Sequence, residues 1–188
     1  MDIQEEIKNL QQEIESKNKA LIVLKLKLGG AVINDYTLYS KEGEPVQFYS
    51  LFGDKDELLI IHNMGKGCNY CTLWADGFNG TVNHFKSRTN WALVSPDEPT
   101  VLKQFAESRN WNFDVYSCKD STFKKDLGFV LENGSTAPGF SVFKKDTTGK
   151  VIHYAYDWFG PGDYFSSIWH FMQYLPNGNN GWRPQLKY

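Results

Sequence analysis

Apolar residues recur at alternating spacings of four and three along the first 28 positions: Ile3, Ile7, Leu10, Ile14, Leu21, Leu24 and Leu28, with Lys17 at the one off-type position. This is a heptad seam. It predicts a long amphipathic helix, stopped by Gly29-Gly30. Such a seam packs on its own domain or on a second copy of the chain, and a swapped helix satisfies both.

Beyond the glycines the pattern changes. Residues 31–53 read as loops and short strands. Glu57 to His62 (ELLIIH) is a short, continuous apolar run, which suits a central strand buried on both faces. The Gly-rich turn Asn63-Met64-Gly65-Lys66-Gly67 follows. Cys68 then opens a segment with Trp74, Phe78, Val82 and Phe85 on one stripe, a helix that Gly77 and Gly80 are expected to kink. WALVS (91–95) is a second buried strand, and Pro96 to Pro99 opens a helix carrying Val101, Leu102, Phe105 and Ala106. A third strand is expected at Phe113–Tyr116, a short helix at 121–129, and a fourth strand at Gly139–Phe143. Asp146-Thr147-Thr148-Gly149 is turn chemistry leading into Val151–Tyr156 as the second arm of a hairpin. Residues 162–174 read as a terminal helix, and the Asn- and Gly-rich tail as irregular surface chain.

Strands alternating with helices pair in parallel, and the hairpin adds antiparallel strands at one side. The expected fold is therefore α/β of thioredoxin-like type: a central mixed sheet flanked by helices, with a long N-terminal helix. Three segments follow: a helix at 1–30, the thioredoxin-like domain at 31–176, and a tail at 177–188.

Composition narrows the function. The 188 residues carry a net charge of −2, with 41% hydrophobic and 15% aromatic residues. That supports an ordinary core and offers no electrostatic footprint for nucleic acid or an anionic membrane. The start MDIQEEIKNL lacks the positive and apolar regions of a signal peptide, and no window has the roughly 18 apolar residues of a membrane span, so the cytoplasm is the expected compartment.

Three cysteines are too few for a disulfide scaffold, but Cys68 and Cys71 form a Cys-x-x-Cys between a strand and a helix. In a reducing compartment such a pair is catalytic or metal-binding. Zinc needs two further ligands, and Cys118, His62, His84, His153 and His170 supply no second close pair, so neither metal nor cofactor is expected. A helix N-terminus stabilises a thiolate through its free N–H groups and dipole. Cys68 is thus expected to be the nucleophile, with Cys71, one turn on, as the resolving thiol. Cys118 reads as a small buried residue. His62, six positions before Cys68, is either a proton acceptor for the resolving thiol or a polar strand-end residue. Pro138, after Ala137, marks a strand edge. Tyr70 and Trp74, with Ala137, are candidates for binding substrate beside the dithiol, although most of the aromatic residues read as core.

The stretches LLIIHNMGKGCNYCTLWADGFNG, WALVSPDEPTVLKQF, APGFSVFKKD and GPGDYFSSIWHFMQYLP resemble a bacterial family of thioredoxin-like proteins described as predicted dithiol-disulfide oxidoreductases. The resemblance spans roughly residues 20–176. Its most specific part is the Cys-x-x-Cys followed by Trp74-Ala75-Asp76-Gly77-Phe78. It implies that the dithiol is the active site. It also implies that Pro138 matches the proline that is cis and faces the dithiol in thioredoxins, and that His62 stands where they keep a buried Asp. Gly67 and Asn69-Tyr70 depart from the thioredoxin pattern of Trp before the first Cys and Gly-Pro between the two. Thiol peroxidases of this fold carry Pro-x-x-x-Thr-x-x-Cys. Gly65 stands in place of that Thr, and Met64 where the Pro-initiated loop would continue, which argues against peroxide chemistry.

Three functions compete. The first is exchange of disulfides with protein or low-molecular-weight thiols. The second is a non-catalytic interaction module assembled through the N-terminal helix as a homodimer. The third is a peroxiredoxin-like thiol peroxidase.

Overall fold

The computed structural model describes residues 2–188; Met1, the first position of the expected 1–30 segment, lies outside them. Helix α1 (Ile3–Leu26) is capped by the Asp2 carboxylate, which accepts the Gln4 N–H at 3.3 Å. The short strands β1 (Ala31–Val32), β2 (Thr37–Ser40) and β3 (Pro45–Gln47) lead into a 3-10 turn at Phe48–Phe52. Then come β4 (Glu57–His62), α2 (Asn69–Phe78), α3 (Val82–Arg88), β5 (Asn90–Ser95), α4 (Pro99–Ser108), β6 (Val115–Ser117), α5 (Phe123–Asp126), β7 (Gly139–Lys145), β8 (Val151–Trp158) and α6 (Ile168–Gln173).

All eight strands join one sheet in the order β1-β8-β7-β4-β5-β6-β2-β3. β4, β5 and β6 are parallel, and every other neighbouring pair is antiparallel. The central strands explain their own sequences. Leu58 and Ile60 of β4, with Ala92 and Val94 of β5, face one buried layer that includes Phe48, Phe52, Phe123, Phe129 and Phe143. Ile61 of β4, with Trp91 and Leu93 of β5, faces the other, which includes Trp74, Leu102, Trp111, Phe159 and Trp169. Burial on both faces leaves no polar alternation, so ELLIIH and WALVS read as solid apolar runs.

The helix after the dithiol breaks as its glycines predict: a 3-10 turn at Asn79–Thr81 separates α2 from α3. Several elements end elsewhere than the sequence pattern places them: the short helix expected at 121–129 is confined to Phe123–Asp126, and β7 and β8 each run two residues further. The third strand begins at Val115 rather than Phe113, because the ladder opens where Leu93 N–H reaches the Asp114 carbonyl at 3.0 Å. The terminal helix is confined to Ile168–Gln173. Before it, Asp163 ties residues 160–165 into a loop by accepting the N–H groups of Gly160 and Phe165 at 3.0 and 2.9 Å.

Helix α1 buries none of its residues. Near its end Lys25 pairs with Asp157 of β8. Gly29 then lies so close to the strand that a Cβ there would sit 1.9 Å from the Tyr154 carbonyl oxygen. The seam residues Ile3, Ile7, Leu10, Ile14, Leu21, Leu24 and Leu28 stay 46–69% exposed, so this chain by itself does not cover them. No helix among the described residues is long and apolar enough to cross a membrane.

Candidate active site

The site forms where β4 ends and α2 begins. Asn63 is pinned by its N–H to the Val94 carbonyl at 3.0 Å, and its side-chain oxygen accepts the Gly65 N–H at 2.6 Å. Gly65 has φ +110°, and a Cβ there would lie 3.1 Å from the Asp97 carboxylate, so the turn needs glycine on both counts. Asp97 accepts the Lys66 N–H and the Ser95 hydroxyl, both at 2.8 Å. The carboxylate thereby fastens the loop to the end of β5. Sequence patterning passed over Asp97 and Ser95, because their roles depend on β5 lying beside β4.

Cys68 is the N-cap of α2, in extended conformation. Its sulfur accepts the Cys71 N–H at 3.1 Å, as a Ser or Asp oxygen would at a cap. All three cysteines are free thiols. Hydrogen bonds from the Cys71 thiol, then from the backbone N–H groups of Cys71 and Tyr70, lower the Cys68 thiol to about 7 against the opposing effect of its burial. Cys71 is buried, and its thiol is pushed far above the ordinary range by its bond to Cys68 and by loss of solvent. The first sulfur is thus biased toward thiolate and the second toward thiol.

The remaining residues singled out from sequence fall in distinct places. Tyr70 is half-buried, stacks on Trp169 at 6.0 Å and lines a groove of about 610 Å³ with Trp169, Trp182 and Arg183. Trp74 is only 2% exposed and donates its indole N–H to Asp163 at 3.3 Å, so it supports the core and offers no open face. Ala137 is buried, with its N–H on the Phe129 carbonyl at 2.9 Å.

Pro138 precedes β7, whose Gly139 pairs with His62, so it lies at the end of the sheet from which the dithiol loop leaves. Pro138 differs here from the thioredoxin proline it matches: no peptide bond among the described residues is cis. A trans peptide here runs straight into the ladder, with Ala137 N–H on Phe129 and the Pro138 carbonyl accepting Phe159 N–H at 2.9 Å.

His62 is buried below the site. Its Nε2 lies 2.9 Å from the Ser141 hydroxyl, its ring stacks on Phe129 at 3.7 Å, and its Nδ1 has no partner. Burial first, and the nearby charges of Lys124 and His153 second, drive its pKa well below the ordinary value, so the ring is neutral. The charged group whose field reaches Cys71 is Lys124, not His62. Lys124 carried no sequence signal: it sits in a Lys-Lys pair on a four-residue helix and reads as surface.

Two further features explain the surrounding motif. Asp76 accepts the Arg109 guanidinium and the Trp111 indole N–H, the latter at 2.9 Å, and so locks α2 to the end of α4. Residues 177–188 contain no helix or strand, yet they fold back over α2, with Asn69 Nδ2 on the Pro184 carbonyl at 3.1 Å and Arg109 on that of Leu186 at 2.9 Å. Among the described residues, no three His, Cys, Asp or Glu side chains converge as a metal site requires.

Solved structures share this architecture. A peroxiredoxin-like protein from Aquifex aeolicus is 21% identical over 69% of this chain and 75% of its own, with a TM-score of 0.56. Peroxidoxin BcpB from Mycobacterium tuberculosis is 21% identical, covering 68% and 85%, at 0.52. Peroxiredoxin Q from Xanthomonas campestris is 14% identical, covering 72% and 87%, at 0.58. At these identities the likeness establishes the fold, which is that of thioredoxin. No curated protein matches the sequence. A family model matches residues 5–187, so the chain belongs to the bacterial proteins of unknown function grouped as DUF899.

Proposed function

We propose that this protein is a thiol–disulfide oxidoreductase in which Cys68 attacks and Cys71 resolves. The observation that carries the reading is the Cys68 sulfur at the N-cap of α2, 3.1 Å from the Cys71 N–H, with its thiol lowered to about 7. A thiol that titrates near ambient pH combines a large thiolate fraction with strong nucleophilicity. Cys71, one helical turn on and held as a thiol, is ready to displace a mixed disulfide. The substrates are protein or low-molecular-weight disulfides, approaching along the groove bordered by Tyr70. Reduction of insulin or a model disulfide tests the reading. Loss of turnover in Cys68→Ser is expected, and equal rates in mutant and wild type would overturn it.

A second reading, a thiol peroxidase, draws on the names of the similar structures, which are peroxiredoxins. Against it, Gly65 offers no side-chain hydroxyl near the attacking sulfur. Consumption of hydrogen peroxide that depends on Cys68 separates the two.

The seam of α1 is best explained by a second copy of the chain. Its exposed apolar residues run at heptad spacing, flanked on the same helix by the ion pairs Lys17–Glu13 and Lys19–Glu15. A parallel or antiparallel partner helix with the same seam would bury it.

A further inference from the structure

Lys124 is a charged side chain enclosed by protein without a hydrogen-bond partner. The residue is 3% exposed, and Nζ is shut off from solvent. Lysine is almost never buried this way unless paired, because an ammonium out of water is strongly disfavoured. Its neighbour on α5, Phe123, is fully buried in the layer around Phe48 and Phe143. The Phe123 ring also lies 5.7 Å from that of His62 at the end of β4, and Lys124, next to it on the same short helix, is buried with it.

Four titratable groups from four places in the fold face this amine: Cys71 on α2, Cys118 just after β6, Asp97 between β5 and α4, and His62 at the end of β4. Three are engaged elsewhere. Asp97 accepts Lys66 N–H and the Ser95 hydroxyl. The Cys118 thiol donates to the Ser95 carbonyl at 3.3 Å, and burial keeps it protonated. His62 is neutral and bonded to Ser141. Cys71 is the one neighbour that has to lose a proton for its part in the reaction.

Resting on the dithiol reading above, we propose that Lys124 is a positioning residue for the resolving step, its ammonium drawing the buried Cys71 into the thiolate form once Cys68 is tied up in a mixed disulfide. In that step the Cys71 S–H proton leaves to solvent and Cys71 Sγ bonds to Cys68 Sγ. The bond from Cys68 Sγ to the substrate sulfur breaks, and the substrate departs as a thiolate with the electron pair. The dithiol is oxidised by two electrons and the substrate disulfide is reduced. While Cys68 is a free thiolate, it raises the Cys71 pKa; the mixed disulfide removes that negative charge, and the backbone bond from Met64 and the Lys124 charge are then left to favour the Cys71 thiolate against its burial. Burial lowers the Lys124 amine only to about 8, so it keeps its charge at neutral pH.

The experiment is stopped-flow reaction of the reduced protein with the chromogenic disulfide dithiobis(nitrobenzoate), followed across neutral and alkaline pH. Attack by Cys68 releases one nitrothiobenzoate, and resolution by Cys71 releases a second; Cys71→Ser should show the first phase only. In Lys124→Met the first phase should stay within about twofold of wild type. The second should slow about tenfold or more at neutral pH, its profile moving about one unit or more upward. Lys124→Arg, which keeps the charge, should restore much of the second phase. A second phase in folded Lys124→Met with the wild-type rate and pH profile overturns the proposal. Should that variant fail to fold, Lys124→Gln takes its place, and a wild-type second phase in that folded variant overturns the proposal equally. Absence of the first phase in wild type itself would instead overturn the dithiol reading.

Discussion

The backbone N–H of Cys71 points at the sulfur of Cys68 across 3.1 Å, so the second cysteine of the motif caps its helix through the first. The same bond helps to stabilise the thiolate, beside the larger contribution of the Cys71 thiol. Alkylation of Cys68 by iodoacetamide should therefore follow a titration centred near 7, while Cys71 and Cys118, both pushed upward, stay unreactive over that range. Mass spectrometry of peptides labelled at stepped pH resolves the three sites. A Cys68 midpoint at the unperturbed value of about 8.5 would sink the capping argument.

Lys124→Met should make the protein more stable at neutral pH. The amine falls from 10.5 to about 8 on folding, so below 8 the folded state carries a buried charge that the unfolded state keeps in water. That difference corresponds to about 3 kcal/mol. Between about 8 and 10.5 the unfolded state binds more protons, so wild-type stability rises with pH and the advantage of the variant shrinks. Urea midpoints measured at neutral and alkaline pH test the sign. A destabilised variant at both would show that the lysine earns its place structurally.

The Ser141 hydroxyl lies 2.9 Å from Nε2 of both His62 and His153, forming a buried chain across β4, β7 and β8. Burial lowers His153 from 6.5 to about 4, and His62 is also held well below 6.5. As pH falls through 6.5 the unfolded imidazoles take up protons that the folded ones refuse, so stability should decline from there toward about 4. Chemical denaturation at stepped pH measures that slope. Ser141→Ala, which strands Nε2 of both buried rings, should cost roughly 1–3 kcal/mol or more.

Leu10→Glu combined with Ile14→Glu should break self-association of α1 while sparing the dithiol. Both side chains are 52% exposed in the single chain, so the substitutions have no intramolecular packing to lose. Sedimentation equilibrium should give a dimer for wild type and a monomer for the double variant, with equal disulfide reductase rates. A monomeric wild type refutes the seam as a dimer contact.

Local patterning determined a good deal of this protein. The heptad spacing specified α1, the unbroken apolar runs specified β4 and β5, and Gly77 with Gly80 marked the break between α2 and α3. A Cys-x-x-Cys after a strand was enough to single out the candidate site, because capping and dipole act within one helical turn. What lay beyond reach depends on strand pairing and on which face a short helix turns inward. Asp97 fastens the dithiol loop only because β5 lies beside β4, and Pro138 adjoins it only through the pairing of Gly139 with His62. His62 reads from spacing as the group beneath the dithiol, and the tertiary structure commits its Nε2 to Ser141, 79 positions away, while Nδ1 has no partner. Lys124 reads as surface, since a lysine's character in sequence is set by its charge. Its burial comes with that of Phe123 in the packing of α5, which only the tertiary structure decides.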